Sequence, residues 1–355
     1  MSRFDKAAAA LEQYGLDALL VTSEPNRQYV TGFRSDAGMA VVTRESSYFF
    51  TDSRYIEAAG RAVTGGTVME STRQKSALAL AREVIQRHNI HRLGFEEEWT
   101  TVKEFRLWEQ SLDCELLPAS ALLTQLRTVK DQEEIDTLIA AQRIAEKAMD
   151  EVLDFIRVGR TEQEIAAFLQ YRMLSAGAEK MSFDPIVVGG PNGSMPHGVP
   201  SERPVGDGEF LTMDFGCVYH GYCSDMTRTV ALGHVTEEME KVYRTVLEAQ
   251  LAGIAVARGG VKGKVIHEAG AKVIADAGYG AYFGHGFGHG LGVELHEMPG
   301  AGSNSEEVLP TGTVISAEPG IYLPGRFGVR IEDVIVLTDD GCLDITNSPK
   351  ELLIL

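Results

Sequence analysis

Four carboxylates and one imidazole stand inside segments that otherwise read as buried. They are Asp214 in FLTMDFG, Asp225 in CSDMTRTV, His289 in GHGLGVELHE, Glu318 in ISAEPGIY and Glu332 in VRIEDVIVL. A lone ionised carboxylate in an apolar interior is very costly. A fold that buries these strands must therefore bring the acids to a compensating cation. Oxygen donors with one nitrogen suit Mn²⁺, Co²⁺, Fe²⁺ or Zn²⁺ at a catalytic site, whereas a structural zinc prefers thiolates. Four carboxylates exceed the need of one divalent ion and match two ions bridged by shared oxygens. Such a pair makes a hydroxide nucleophile at neutral pH and clamps a hydrolytic transition state. The pattern points to a dinuclear metallohydrolase.

The rest of the chain bounds this reading. Its 355 residues exceed one typical domain, so two are expected, and 44% hydrophobic content is enough for a sizeable core. A net charge of −18 with no basic run argues against a nucleic-acid partner, which needs Lys/Arg clusters. The four cysteines, Cys114, Cys217, Cys223 and Cys342, form no CxxC pair and read as reduced thiols, consistent with a cytoplasmic location. Asp5, Glu12 and Asp17 interrupt any apolar run at the N-terminus, so no signal peptide is expected. No run of eighteen apolar residues exists, so no membrane span is expected either.

Residues 1–125 alternate between helical and strand patterns. Helices are expected at Phe4–Tyr14, Ser76–His88 and Thr101–Leu112, and strands at Ala18–Thr22, Gly38–Thr43, Ser47–Thr51 and His91–Glu96, with a turn at Gly65–Gly66–Thr67. This alternation suggests a three-layer α/β domain. A long helical stretch then opens at Leu126–Asp131, with Asp131 as N-cap and Glu134 three positions on, and keeps its period to about Ile156. Thr161 caps another helix, with Glu164 at the same offset. From Ile186 onward the sequence turns to glycine-rich strands, interrupted by a helix pair at Glu237–Ala257 and Val261–Ala277. The domain boundary is placed near 125–130. Each half of the second domain carries helices and then strands bearing acids, Asp214/Asp225 and Glu318/Glu332, which hints at pseudo-twofold symmetry.

Eleven positions separate Asp214 from Asp225, which suits two antiparallel strands joined by a short hairpin with the carboxylates face to face; two turn acids fit the same spacing. His285, His289 and His296 recur within twelve residues among glycines that let the backbone approach closely. Arg330 and Glu332 alternate with Val329 and Ile331 and so share one strand face, while Asp333 points the other way and stays outside the site.

The ordered set MDFG, SDMTRT, GHGLGVELHE, EPG and RIED resembles the pita-bread metallopeptidases: methionine aminopeptidase, aminopeptidase P and prolidase. TSEPNRQYVTGF and FTDSRYIEAA resemble the creatinase/prolidase N-terminal domain, and LRTVKDQEEI its junction. The resemblance implies an α/β N-terminal creatinase/prolidase-like domain at 1–127. It further implies an α+β pita-bread catalytic domain with pseudo-twofold symmetry at 128–355. By the same resemblance Asp214 chelates one metal, Asp225 and Glu332 bridge both, and His289 and Glu318 complete the other. Glu318 also shuttles a proton towards the leaving nitrogen, and His296 hydrogen-bonds the scissile carbonyl or its oxyanion. His197, in SMPHGVP, matches a further active-site histidine. His285 and Arg330 match positions of the proline-specific branch, and Tyr322 is expected in the same substrate pocket. Mn²⁺ and Co²⁺ are the implied activators, with Zn²⁺ or Fe²⁺ compatible, and a homodimer is expected.

These features favour a cytosolic Xaa-Pro peptidase acting on proline-containing peptides. Methionine aminopeptidases usually lack the 1–125 domain, and creatinase does not use this metal quintet. Non-catalytic binding proteins of the fold typically lose ligands, and none is lost here. Prolidase, which cleaves the dipeptide, and aminopeptidase P, which trims longer peptides, stay close; the modest length leans towards the dipeptidase.

Overall fold

A computed structural model describes all residues, 1–355, as two compact units, Met1–Arg127 and Thr128–Leu355. The first unit is built on a six-stranded mixed sheet. Its order, from one edge, is Thr67–Glu70, Ser47–Thr51, Met39–Thr43, Ala18–Val21, Arg92–Phe95 and Glu115–Pro118. The sheet is covered on both faces. Leu20, Val41, Phe50 and Leu93 pack against Leu80, Val84 and Trp108 of the helices Ala77–Arg87 and Val102–Ser111. Strand alternation sends their neighbours Leu19, Ala40, Val42 and Phe49 to the opposite face, where they are also fully buried. A short helix, Glu24–Thr31, was not expected from the sequence. Its Ser23 cap and its Asn26 side chain both bond the fully buried Glu96.

The second unit holds two helix pairs, each followed by antiparallel strands. Gln132–Leu153 and Glu162–Ser175 precede a sheet of Met226–Ala231, Phe210–Phe215 and Ile186–Gly189. Glu237–Val256 and Gly263–Asp276 precede a sheet containing Gly288–Gly290, Val314–Ala317 and Asp333–Leu337. The repetition of helix pair and acid-bearing sheet is the pseudo-symmetry hinted at by the sequence. Thr227 of the first half bridges Glu332 of the second, with the Glu332 amide donating to the Thr227 carbonyl at 3.1 Å.

Three local expectations are corrected. Leu126–Thr128 does not open the long helix but ends a separate one, Ser120–Thr128; the long helix starts at Gln132 on the expected capping box of Asp131 and Glu134. Asp214 does not face Asp225 across a tight hairpin. It pairs with Thr227, and the ladder ends at Met226–Phe215, after which Cys217–Tyr219 and Tyr222–Cys223 form a separate small hairpin. The turn from one ladder to the other requires Gly216, because a Cβ there would lie 1.9 Å from the Ser224 carbonyl oxygen. Finally, 329–336 is not one strand. Phe327–Arg330 and Asp333–Leu337 belong to different sheets, and the break at Ile331–Glu332 lets Glu332 cross to Thr227.

Beneath that break Arg228 is buried and donates to the carbonyls of Thr227 and Glu332 at 2.9 and 2.6 Å and to the Asp333 carboxylate at 2.7 Å. It also reaches the carbonyls of Ser348 and Pro349. Asp333 thus faces away from the metal-site acids as expected, though through the strand break and its Arg228 partner rather than through alternation along one strand.

Gly216→Ala is expected to destabilise this unit by about 1–3 kcal/mol, the usual cost of forcing an extra carbon into a packed interior. A lowered urea midpoint for the metal-free protein would show it; an unchanged midpoint would mean that the ladder end is free to move.

Candidate metal centre

The five residues singled out in the sequence approach one another at the seam between the two halves of the second unit. Asp214 comes from Phe210–Phe215, and Asp225 from the residue before Met226–Ala231. His289 comes from Gly288–Gly290, Glu318 from just beyond Val314–Ala317, and Glu332 from just before Asp333–Leu337. Ala317 pairs with Asp333, so Glu318 and Glu332 emerge side by side at the end of one ladder. Gly288 permits the close approach of the His289 strand: a Cβ there would fall 1.9 Å from the Ser316 carbonyl oxygen.

Donor atoms of Asp225, His289 and Glu332 all lie within 4.8 Å of one another. His289 Nε2 is 3.5 Å from Asp225 Oδ2 and 3.3 Å from Glu318 Oε1. The other ring nitrogen, Nδ1, lies 3.0 Å from the Gly290 carbonyl. That contact assigns the Nδ1 proton and turns Nε2 towards the acids, where it is protonated in the metal-free cluster and would give its lone pair to a bound ion. Asp214 gives one oxygen to Arg330 at 2.5 Å. Glu332 accepts from the Thr227 hydroxyl at 2.7 Å, and Glu318 from the Ser316 hydroxyl at 3.0 Å. One oxygen each of Asp214, Asp225 and Glu332 is buried without a hydrogen-bond partner. Three orphaned carboxylate oxygens around a lone imidazole nitrogen fit divalent cations, and no thiol lines the cavity to favour a softer site.

Electrostatics agree. Burial, then repulsion from Asp225, Glu318 and Asp214, holds the Glu332 carboxyl well above the usual range. Burial also raises Asp214, against the pull of Arg330. Asp225 is pushed up to about 7, first by burial and then by its acidic neighbours, with His289 opposing. Burial acts to lower His289, but Asp225 and Glu318 outweigh it and raise the imidazole to about 9. Four carboxylates thus face two cationic groups, Arg330 and the protonated His289.

The remaining expected residues line the same cavity, of about 600 Å³: His197, His285, His296, Tyr322 and Arg330. His296 stacks edge-on against His289 with centroids 4.2 Å apart, and burial lowers its proton affinity. Arg330 donates to the Tyr322 oxygen at 2.8 Å. The His285 Nδ1–H donates to the Gly286 carbonyl at 2.8 Å, so its Nε2 accepts from the Tyr322 hydroxyl at 3.0 Å. Burial lifts that phenol to about 12, so it keeps its proton. Sequence reasoning missed Thr227 and Ser316, the hydroxyls that hold Glu332 and Glu318. The available signal was position: each stands two residues from a metal-site acid, on the same strand face.

Residues 136–339 match the metallopeptidase family M24 and residues 3–129 the creatinase/prolidase N-terminal domain. An uncharacterised peptidase of Bacillus subtilis, YqhT, is 41% identical, covering 99% of this chain and all of its own. The structure of an Xaa-Pro dipeptidase from Bacillus anthracis superposes with a TM-score of 0.95 at 38% identity, covering 99% of both chains. That of an X-Pro aminopeptidase from Thermotoga maritima gives 0.93 at 34% identity, covering 98% of this chain and all of the other. This chain belongs to metallopeptidase family M24. It is a metal-dependent peptidase with the creatinase-type N-terminal domain and the pita-bread catalytic domain that the sequence resembles.

The pKa directions fix a pH dependence for the metal-free protein. Asp225 and His289 bind protons more tightly folded than unfolded, so stability falls as pH rises from about 4 to about 9. Thermal melts of chelator-treated protein should show that decline, and added Mn²⁺ should raise the midpoint more at pH 8 than at pH 5. A metal effect equal at both pH values would contradict the buried charge cluster.

Proposed function

We propose that this chain is a cytoplasmic, homodimeric peptidase that hydrolyses Xaa-Pro bonds with two divalent ions, Mn²⁺ or Co²⁺, and that its main substrates are Xaa-Pro dipeptides. The observation that carries the reading is the convergence of the five-donor cluster with His197, His285, His296, Tyr322 and Arg330 on one cavity. The full-length likeness to the Bacillus anthracis Xaa-Pro dipeptidase favours the dipeptide substrate. The likeness to the Thermotoga maritima enzyme favours the second reading, an aminopeptidase acting on longer peptides. The unbridged cysteines agree with a reducing compartment, and no helix is long and apolar enough to cross a membrane.

Asp225, His289 and Glu332 would hold the ions, with Asp214 and Glu318 completing the donor set. When bound, the ions supply a hydroxide at neutral pH and polarise the scissile carbonyl. The remaining work falls to the side chains. The proline nitrogen is a tertiary amide with no hydrogen, so it must gain a proton before it leaves as an amine. Glu318 would take the proton that the attacking water gives up, at a carboxylate oxygen, and deliver it to the nitrogen. His296, kept neutral by burial, offers an N–H to the carbonyl oxygen as negative charge develops. Phe183, Pro185, Ile186, Pro196 and Leu295 give the cavity an apolar wall suited to the pyrrolidine ring.

Chelator-stripped protein re-supplied with Mn²⁺ or Co²⁺ should cleave Ala-Pro and leave Ala-Pro-Ala largely intact. Preferential cleavage of the tripeptide would establish the aminopeptidase reading, and failure to bind metal would end both. Asp225→Asn and Glu332→Gln should lose metal and activity together. His296→Ala should keep both ions, counted by elemental analysis, yet lose about 10²–10³-fold in kcat.

A further inference from the structure

His197 reaches the cavity from a segment, residues 190–200, that has little regular structure of its own beyond the 3₁₀ turn Gly190–Ser194. The side chains around it are exposed: Met195 is 49% and Val199 80% accessible. Such a segment would not by itself hold an imidazole in one place. Its two ends, however, meet on a single carboxylate. Glu162, the first residue of the helix Glu162–Ser175, is fully buried. Its Oε1 accepts the Gly189 amide at 2.8 Å, where the segment begins. Its Oε2 accepts the Ser201 amide at 3.0 Å and the Ser201 hydroxyl at 2.6 Å, where the segment ends. The Asn192 side-chain amide reaches both oxygens at 3.1 Å. Buried carboxylates ordinarily pair with a cation; this one is satisfied by donors drawn from both ends of one loop. Mid-loop, Arg330 donates to the Pro196 carbonyl at 3.3 Å.

We infer that Glu162 is a positioning residue for the reaction, clamping the 190–200 loop at both ends so that His197 is held at the cavity. The inference rests on the proposed peptidase function. Glu162 touches none of the metal-site acids, and because Gly189 ends the strand paired with that of Asp214, bound metal is counted beside activity to separate an effect on His197 from one on the donors.

The test is Glu162→Gln, which keeps the shape but replaces acceptor lone pairs with an N–H pair facing existing donors. Hydrogen–deuterium exchange should rise across residues 190–200 and stay unchanged at the metal-bearing strands, with two ions still bound. Against Ala-Pro, or Ala-Pro-Ala should that prove the substrate, kcat/KM should fall about a hundredfold, the cost of a misplacement near 1 Å. In a His197→Ala background the same substitution should cause no further loss, because both changes remove one contribution. Should Glu162→Gln not fold, Asn192→Ala and Ser201→Ala each remove one leg of the clamp and enter the same cycle. Losses that multiply with His197→Ala, or a lowered melting temperature with full activity per metal-loaded site, would overturn the inference. If the wild type cleaves neither peptide, the functional reading fails, while the exchange pattern still decides whether Glu162 clamps the loop.

Discussion

The second unit is organised around an electrostatic deficit. Asp214, Asp225 and Glu332 are buried, Glu318 adjoins them, and one arginine, Arg330, is available to offset them. A hydrophobic core would expel such a group or neutralise it with protons. Here the acids' proton affinities do rise, and the surrounding chain also fixes each acid with a hydroxyl, an imidazole or a guanidinium and leaves one oxygen on each of three acids unmet. The backbone features near the centre follow from that need. The glycines at 216 and 288 allow strands closer than a side chain permits, and the strand break at Ile331–Glu332 turns a carboxylate across the seam.

The supporting contacts fall into two layers with different chemistry. Around the acids, Thr227 links Glu332 to Arg330, which donates to its hydroxyl at 3.1 Å and continues to Tyr322 and His285. This chain runs from the charged cluster to the substrate cavity, so displacement of one member reaches the others. Below the acids, Arg228 holds the backbone of Thr227 and Glu332 rather than their carboxylates. A buried pair such as Arg228–Asp333 adds little net stability, but loss of one partner is severe because it strands the other. Its value here is geometric.

Much of the site was legible because its residues break the local pattern: acids in apolar strands and histidines among glycines conflict with what those segments otherwise encode. Helix starts were equally visible where a capping box marks them, as at Asp131/Glu134 and Thr161/Glu164. What stayed hidden obeys local rules. Thr227 and Ser316 are ordinary strand residues until a carboxylate arrives from elsewhere in the fold. Glu162 reads as a normal first-turn acid of its helix, and nothing local shows that it is buried against Gly189 and Ser201. The helix Glu24–Thr31 shows no apolar stripe, since Asn26 and Arg27 are buried through polar partners. The strand Thr67–Glu70 is concealed by the glycines preceding it.

The Thr227–Glu332 bridge also carries a message about timing. The donors come from both halves, and the last of them, Glu332, follows the first, Asp214, only after the helix pair and strands of the second half. A growing polypeptide leaving the ribosome therefore has no complete cradle for a cation until Glu332 has emerged and the two halves have met.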